Sequence, residues 1–116
     1  MNNLQRLQVL TDQLEVQENE FIDYVLKAEY AILLVSNAGR IKWCNDFFYN
    51  MFGLNKEEVS NKGLKRIFGM DLCTSESKRV LLKIKDETLT EFILKKSELT
   101  RQGKIIHKKI ALIPNE

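Results

Sequence analysis

Apolar residues return every seven positions at the start of the chain, at Leu7, Leu14, Phe21 and Ala28. Leu10, Gln17 and Tyr24 follow three positions after the first three, which makes an a/d seam. No Pro or Gly interrupts residues 3–29 and helix formers dominate, so the pattern predicts one long amphipathic helix. Gln17 in the seam costs stability and favours one register. Two uses of the seam stand open. Leu7, Leu10, Leu14, Phe21 and Tyr24 pair with a second copy, or the helix packs on its own domain. From Phe21 onward, Ile22, Val25 and Leu26 widen the apolar face, which places the second half on the domain itself.

At Ala31 the period changes. AILLV at 31–35 is apolar at every position, as in a strand covered on both faces. SNAG at 36–39 reads as a turn, with Asn37 and Gly39 suited to positive φ. In RIKWCN, Ile41 and Trp43 alternate with Arg40 and Lys42, a half-buried strand that closes a β-hairpin. Asn45 or Asp46 then caps a short helix ending at Gly53, in which Phe47/Met51 and Phe48/Phe52 are i, i+4 pairs on adjoining stripes. Asn55 with Glu58 is a capping-box start for a second short helix. Gly63 breaks that helix, and LKRIFG forms another turn ending at Gly69.

The second half of the chain is less periodic. Ser75 or Ser77 followed by Val80, Leu81 and Ile84 favours a helix through Lys85, although Val80, Leu82 and Ile84 equally fit a strand. Residues 89–97 alternate as a strand, SELTRQG reads as a loop, and KIIHKKIALI at 104–113 reads as a longer strand stopped by Pro114. Helices set between two strand pairs imply an α+β domain with one antiparallel sheet.

Composition narrows the class. The 116 residues suit one domain with one core, here divided into a 1–29 helix and a 30–116 body. No apolar run approaches the roughly 20 residues of a membrane span, and the polar N-terminus is not a secretory signal. Cys44 and Cys73 form no CxxC pair and read as free thiols of a reduced, cytoplasmic chain. Residues 1–29 carry two cations and six anions, a net −4, so the rest must carry +6 to reach the chain's +2. An acidic helix on a basic body suggests contact between them or between subunits. GxxxxGK, GxGxxG, HExxH and GxSxG are all absent and the only histidine is His107, which predicts no enzymatic activity.

The stretch YAILLVSNAGRIKWCNDFFYNMFGLNKEEVSNKGLKRIFG resembles the first half of a PAS domain. It has the apolar first strand, the turn with Gly, and a second strand ending in an aromatic, a small residue and Asn. A helix with an aromatic pair and a Phe-Gly-Leu end follows. The resemblance implies an antiparallel sheet of four to five strands cupping short helices. It also implies a sensory or dimerisation role in bacterial signalling, with an output domain or signalling protein as partner. Asn45 matches the family's Asn that caps the helix after the second strand, and the N-terminal helix matches its flanking helix, which implies a homodimer. The usual closing motif of the last strand is absent. Either KIIHKKIALIP is the fourth strand and the fifth is missing, or RVLLKIKD is the third and the sheet is complete. The chain is then a piece of a signalling protein or a free-standing partner.

In that family a pocket lies between sheet and helices, and here Leu33, Ile41, Trp43, Phe47, Phe48, Met51, Phe52, Leu64, Ile67 and Phe68 are expected to converge on it. Such large side chains read first as a filled core and second as a small-molecule cavity. No cofactor or metal is expected. A haem sensor needs only one axial imidazole, yet His107 lies on a late strand and reads as an exposed strand residue. Cys44 reads as a small buried residue, and Cys73 as the likelier oxidation target of the two. The basic set Lys83, Lys85, Lys95, Lys96, Arg101, Lys104, Lys108 and Lys109 lacks interleaved aromatics, so it reads as a solvated sheet face and not as a nucleic-acid site.

Overall fold

A computed structural model describes residues 2–115. The chain runs α1 (Asn3–Thr11), α2 (Glu18–Lys27), β1 (Ala31–Ser36), β2 (Ile41–Cys44), α3 (Asp46–Phe52), α4 (Lys56–Val59), α5 (Leu64–Phe68), β3 (Arg79–Lys83), β4 (Leu89–Arg101) and β5 (Lys104–Pro114). The strands form one antiparallel sheet in the order β2-β1-β5-β4-β3. The sheet is complete with five strands, because Arg79–Lys83 pairs with β4 and is not the helix favoured by its local pattern. Val80 and Leu82 turn inward while Leu81 stands 57% exposed, the alternation of a strand covered on one side.

Two further expectations are corrected. Residues 3–29 make two helices, not one. Helix α1 starts on an Asn2/Gln5 capping box and stops at Thr11, whose hydroxyl bonds back to the Gln8 carbonyl. The following turn is held by the sheet: the Glu15 N–H donates to the Thr100 carbonyl at 2.9 Å. Local propensity permits a continuous helix there, and the bond to β4 replaces it with a reversal that lays both helices on the sheet. The stretch 97–103 is also not a loop. Strand β4 continues to Arg101, and a two-residue turn at Gln102 and Gly103, both at positive φ, leads into β5.

Each face of the sheet carries its own apolar cluster. The inner face joins Ala31, Leu33 and Val35 of β1 with Ile110 and Leu112 of β5 beneath α3, α4 and α5. The outer face joins Ile32, Leu34, Trp43 and Leu99 with Leu7, Leu14 and Val25 of the N-terminal segment. Alternation along β1 explains why AILLV is apolar throughout, since odd and even residues serve different clusters. The β2 edge is closed by the loop before α5, through Ile41 N–H to the Lys62 carbonyl (2.8 Å) and Asn61 N–H to the Ile41 carbonyl (2.8 Å). Strand β3 forms the opposite edge.

Candidate functional site

The expected pocket region is packed with side chains. Leu33, Ile41, Phe48, Phe52 and Leu64 are buried in the inner cluster, and Met51, Ile67 and Phe68 pack against it half-buried. Phe48 meets Phe52 at 5.0 Å between ring centroids, and Phe52 stacks on Phe92 of β4 at 5.7 Å. Phe68 closes the group edge-on to Phe48 and Phe52, at 6.2 and 5.5 Å. Such contacts add about 0.5–1.5 kcal/mol each beyond burial. Phe92, Val80, Leu82, Leu94 and Leu72 belong to this core and were not among the expected lining residues. The period-2 pattern of residues 89–97 was the signal that could have placed Phe92 and Leu94.

Two expected lining residues lie elsewhere. Trp43 belongs to the outer cluster, and its indole N–H donates to the Asn3 carbonyl of α1 at 2.8 Å. The cause is an irregularity in β2 pairing: Leu34 faces Trp43 but Val35 faces Ile41, so Lys42 is an extra residue. That insertion sends Ile41 and Trp43 to opposite faces despite their i, i+2 spacing. Phe47 is only half-buried and lies outside both clusters. The seam residues of the N-terminal segment also turn inward. Leu7 and Leu14 are buried and Leu10 and Phe21 pack beside them on the chain's own sheet, which leaves Tyr24 as the exposed member of the set.

Asn45 is the polar centre of the molecule. It is buried, and its amide is fully used. Oδ1 accepts from the Phe48 N–H (3.1 Å) and the Ile32 N–H (3.0 Å), while Nδ2 donates to the carbonyls of Val25 (3.2 Å) and Tyr30 (3.0 Å). One side chain therefore caps α3, pins the start of β1 and holds the end of α2. Nearby, Gly53 ends α3 at φ 66°, where a Cβ would come within 2.6 Å of the Lys85 Cβ. The Lys85 N–H donates to the Met51 carbonyl at 3.1 Å, so α3 is fastened to the exit of β3. Beside this contact an open groove of about 560 Å³ runs between Phe52, Leu54, Ile67 and Phe68 and the β3–β4 hairpin.

Burial pushes the Cys44 thiol up, against a weaker pull from its Tyr49 hydrogen bond, so it is not a reactive thiolate. Cys73 is half-buried where Cys44 is buried, in the order expected of the two, and burial and then Asp71 raise its thiol as well. His107 is not exposed as expected. It is 7% exposed, lies across from Leu99 of the outer cluster, and both ring nitrogens lack a hydrogen-bond partner. Burial first, and the Lys42 ammonium second, hold its imidazole below the ordinary range against a weaker pull from the Val35 backbone. Among the described residues no three His, Cys, Asp or Glu side chains are grouped to hold a metal ion, and no helix is long and apolar enough to cross a membrane.

No protein-family model matches the sequence, and no curated protein matches it significantly. Solved structures do. The PAS domain of BvgS from Bordetella pertussis superposes with a TM-score of 0.64 at 14% identity, covering 85% of this chain and 86% of that one. The PAS domain of an HTR-like protein from Haloarcula marismortui gives 0.63 at 16% identity, over 88% and 100% of the two chains. A PAS domain from a two-component sensor histidine kinase gives 0.59 at 14%, over 84% and 96%. With the helix-cupping five-stranded sheet and the Asn45 cap, these likenesses establish that the chain has the PAS fold.

Proposed function

We propose that the chain is a non-catalytic regulatory domain of a signalling protein, which relays a change in its packing through α1 and α2 to a partner or output domain. The observation that carries this reading is the Asn45 hydrogen-bond hub, which ties the end of α2 to both β1 and α3. A shift of α3 against the inner core is transmitted by that amide to the segment covering the outer face. A solved neighbour described as a PAS domain from a two-component sensor histidine kinase supports the signalling role.

Self-association belongs to the same reading, with a revised surface. Leu7 and Leu14 hold the segment to its own sheet, whereas Leu4 and Leu26, 41% and 44% exposed, border one groove between α1 and α2 together with Ile22. The homodimer is therefore proposed across Leu4, Ile22 and Leu26. Light scattering of the wild type and Leu26→Glu tests it: a dimer mass that falls to the monomer value is expected. A monomeric wild type sinks the dimer, and hydrogen exchange at α2 that is unaffected by Asn45→Asp sinks the relay.

The alternative is a small-molecule or haem sensor with an occupied pocket, and it has less support. Phe48, Phe52, Phe68 and Phe92 fill the space where such a ligand would sit, and His107 is on the other face of the sheet. A Soret band or added mass in native mass spectrometry of the purified chain would restore it.

A further inference from the structure

Helices α1 and α2 cover only part of the outer face. Next to α2, where the cover ends, lies a cleft of about 260 Å³. Its apolar bed is Ala111 and Ile113 of β5, and Lys95 and Ser97 of β4 and Lys109 of β5 stand around it. Tyr24 of α2 and Tyr30 of the α2–β1 connection form the other wall. Their hydroxyls share a hydrogen bond, which engages one of the two protons and leaves the other free to donate. The Lys109 ammonium sits 4.4 Å from the centre of the Tyr24 ring.

The register brings the two lysines together. Lys95 pairs with Ala111 and Ser97 with Lys109, so Lys95 and Lys109 are diagonal neighbours on one face, about 7–8 Å apart at most between Cβ atoms. Flexible four-carbon stems let both ammoniums reach one bound anion. Among the described residues neither forms a salt bridge with a carboxylate. The Tyr24 hydrogen bond first, and burial second, raise the Tyr30 phenol above its ordinary range, against a weaker pull from the Lys109 and Lys95 ammoniums. Two like charges, a free phenol proton and a serine hydroxyl therefore converge over an apolar bed.

We propose that this cleft binds the dianionic phosphate of a small organic phosphate monoester, with Lys95 and Lys109 on the phosphate and Ala111 and Ile113 beneath the organic group. The site lies on the face of the sheet away from the aromatic core. A ligand there bridges α2, the α2–β1 connection, β4 and β5. It favours the state in which α2 is docked, by its differential affinity for that state.

The test is an amide-resolved NMR titration of the full chain at pH 8 and constant ionic strength, with phenyl phosphate, inorganic phosphate and benzoate as probes. Saturable shifts confined to Tyr24, Tyr30, Ser97 and Lys109 and their neighbours are expected, with phenyl phosphate tightest and benzoate weakest. Lys95→Met/Lys109→Met should weaken phenyl phosphate by at least about tenfold, the scale of losing two charge-assisted bonds, while Lys65→Met leaves it unchanged. Should the double variant lose its dispersed spectrum, Tyr30→Phe carries the test, with weaker binding expected from a retained ring. Three results overturn the proposal: shifts spread over every lysine-bearing surface, benzoate binding as well as phenyl phosphate, or ligand-free signals at the cleft that move on dilution, which would seat a second copy there.

Discussion

On the inner face of the sheet, Phe48, Phe52, Phe68 and Phe92 interlock beneath three short helices, of which α3 and α4 are pinned by side-chain caps. On the outer face, two helices joined by a turn cover part of the same sheet, around Leu7, Leu14, Val25 and Trp43, with a buried unpartnered imidazole close by. The inner side is closed by dispersion and area. The outer side relies on fewer apolar anchors and on polar ties such as Trp43 to Asn3 and Glu15 to Thr100. A region held in that second way opens at lower free energy, which suits a moving part. Among the described residues Asn45 is the one buried side-chain amide, and it bonds into both.

Deleting Phe48 should have the largest effect. Phe48→Ala is expected to cost about 3–5 kcal/mol globally, read from urea unfolding, because its cavity cannot collapse against rigid rings. A loss confined to α1 and α2 would contradict the division between faces. Next comes Asn45→Ala, at about 2–3 kcal/mol, since the α3 cap is lost and the Ile32 N–H is left buried without a partner. Asn45→Asp sharpens the comparison: it keeps the acceptor for Phe48 and Ile32 but loses the donor to Val25 and Tyr30. Hydrogen exchange should then rise in α2 while α3 stays protected.

Leu7→Ala should cost about 2 kcal/mol, toward the low end for a buried leucine, because α1 can detach without unfolding the sheet. Exchange protection lost in α1 and kept in β1 and β5 is the expected signature. The smallest effect is the pH response of His107. Its pKa is lowered in the folded state from the ordinary 6.5, so the unfolded chain takes up the proton first. Stability should be full above pH 6.5 and decline as pH falls through that value toward the lower folded pKa. Urea midpoints at pH 7.5 and 5.5 should differ less in His107→Leu than in the wild type; an unchanged difference would mean the imidazole is not the group responsible.

Local signals read much of the domain correctly. The SNAG hairpin, the Asn45 cap, the Asn55/Glu58 capping box and the Gly53 and Gly69 helix ends all stand where short-range chemistry puts them. The errors share one cause, which is long-range pairing. Nothing near Thr11 announces a helix end, because the Glu15–Thr100 bond spans most of the chain. Val80, Leu81 and Ile84 mimic a helix face until β4 supplies the ladder that makes Arg79–Lys83 a strand. The convergence of aromatics was legible for Phe48 and Phe52 but not for Trp43, which one inserted residue in β2 sends to the other side.

By itself, then, the order of residues determined the α+β class, the hairpin, the capped helices and the place of Phe48, Phe52 and Phe68 in the core, because turns, caps and apolar periods are set by neighbours a few positions apart. Only the tertiary structure decided which face each side chain serves, that the first segment folds back on its own sheet, and that His107 is buried. Those outcomes depend on register between strands far apart in the chain, and a slip of one residue there reverses every side chain it touches.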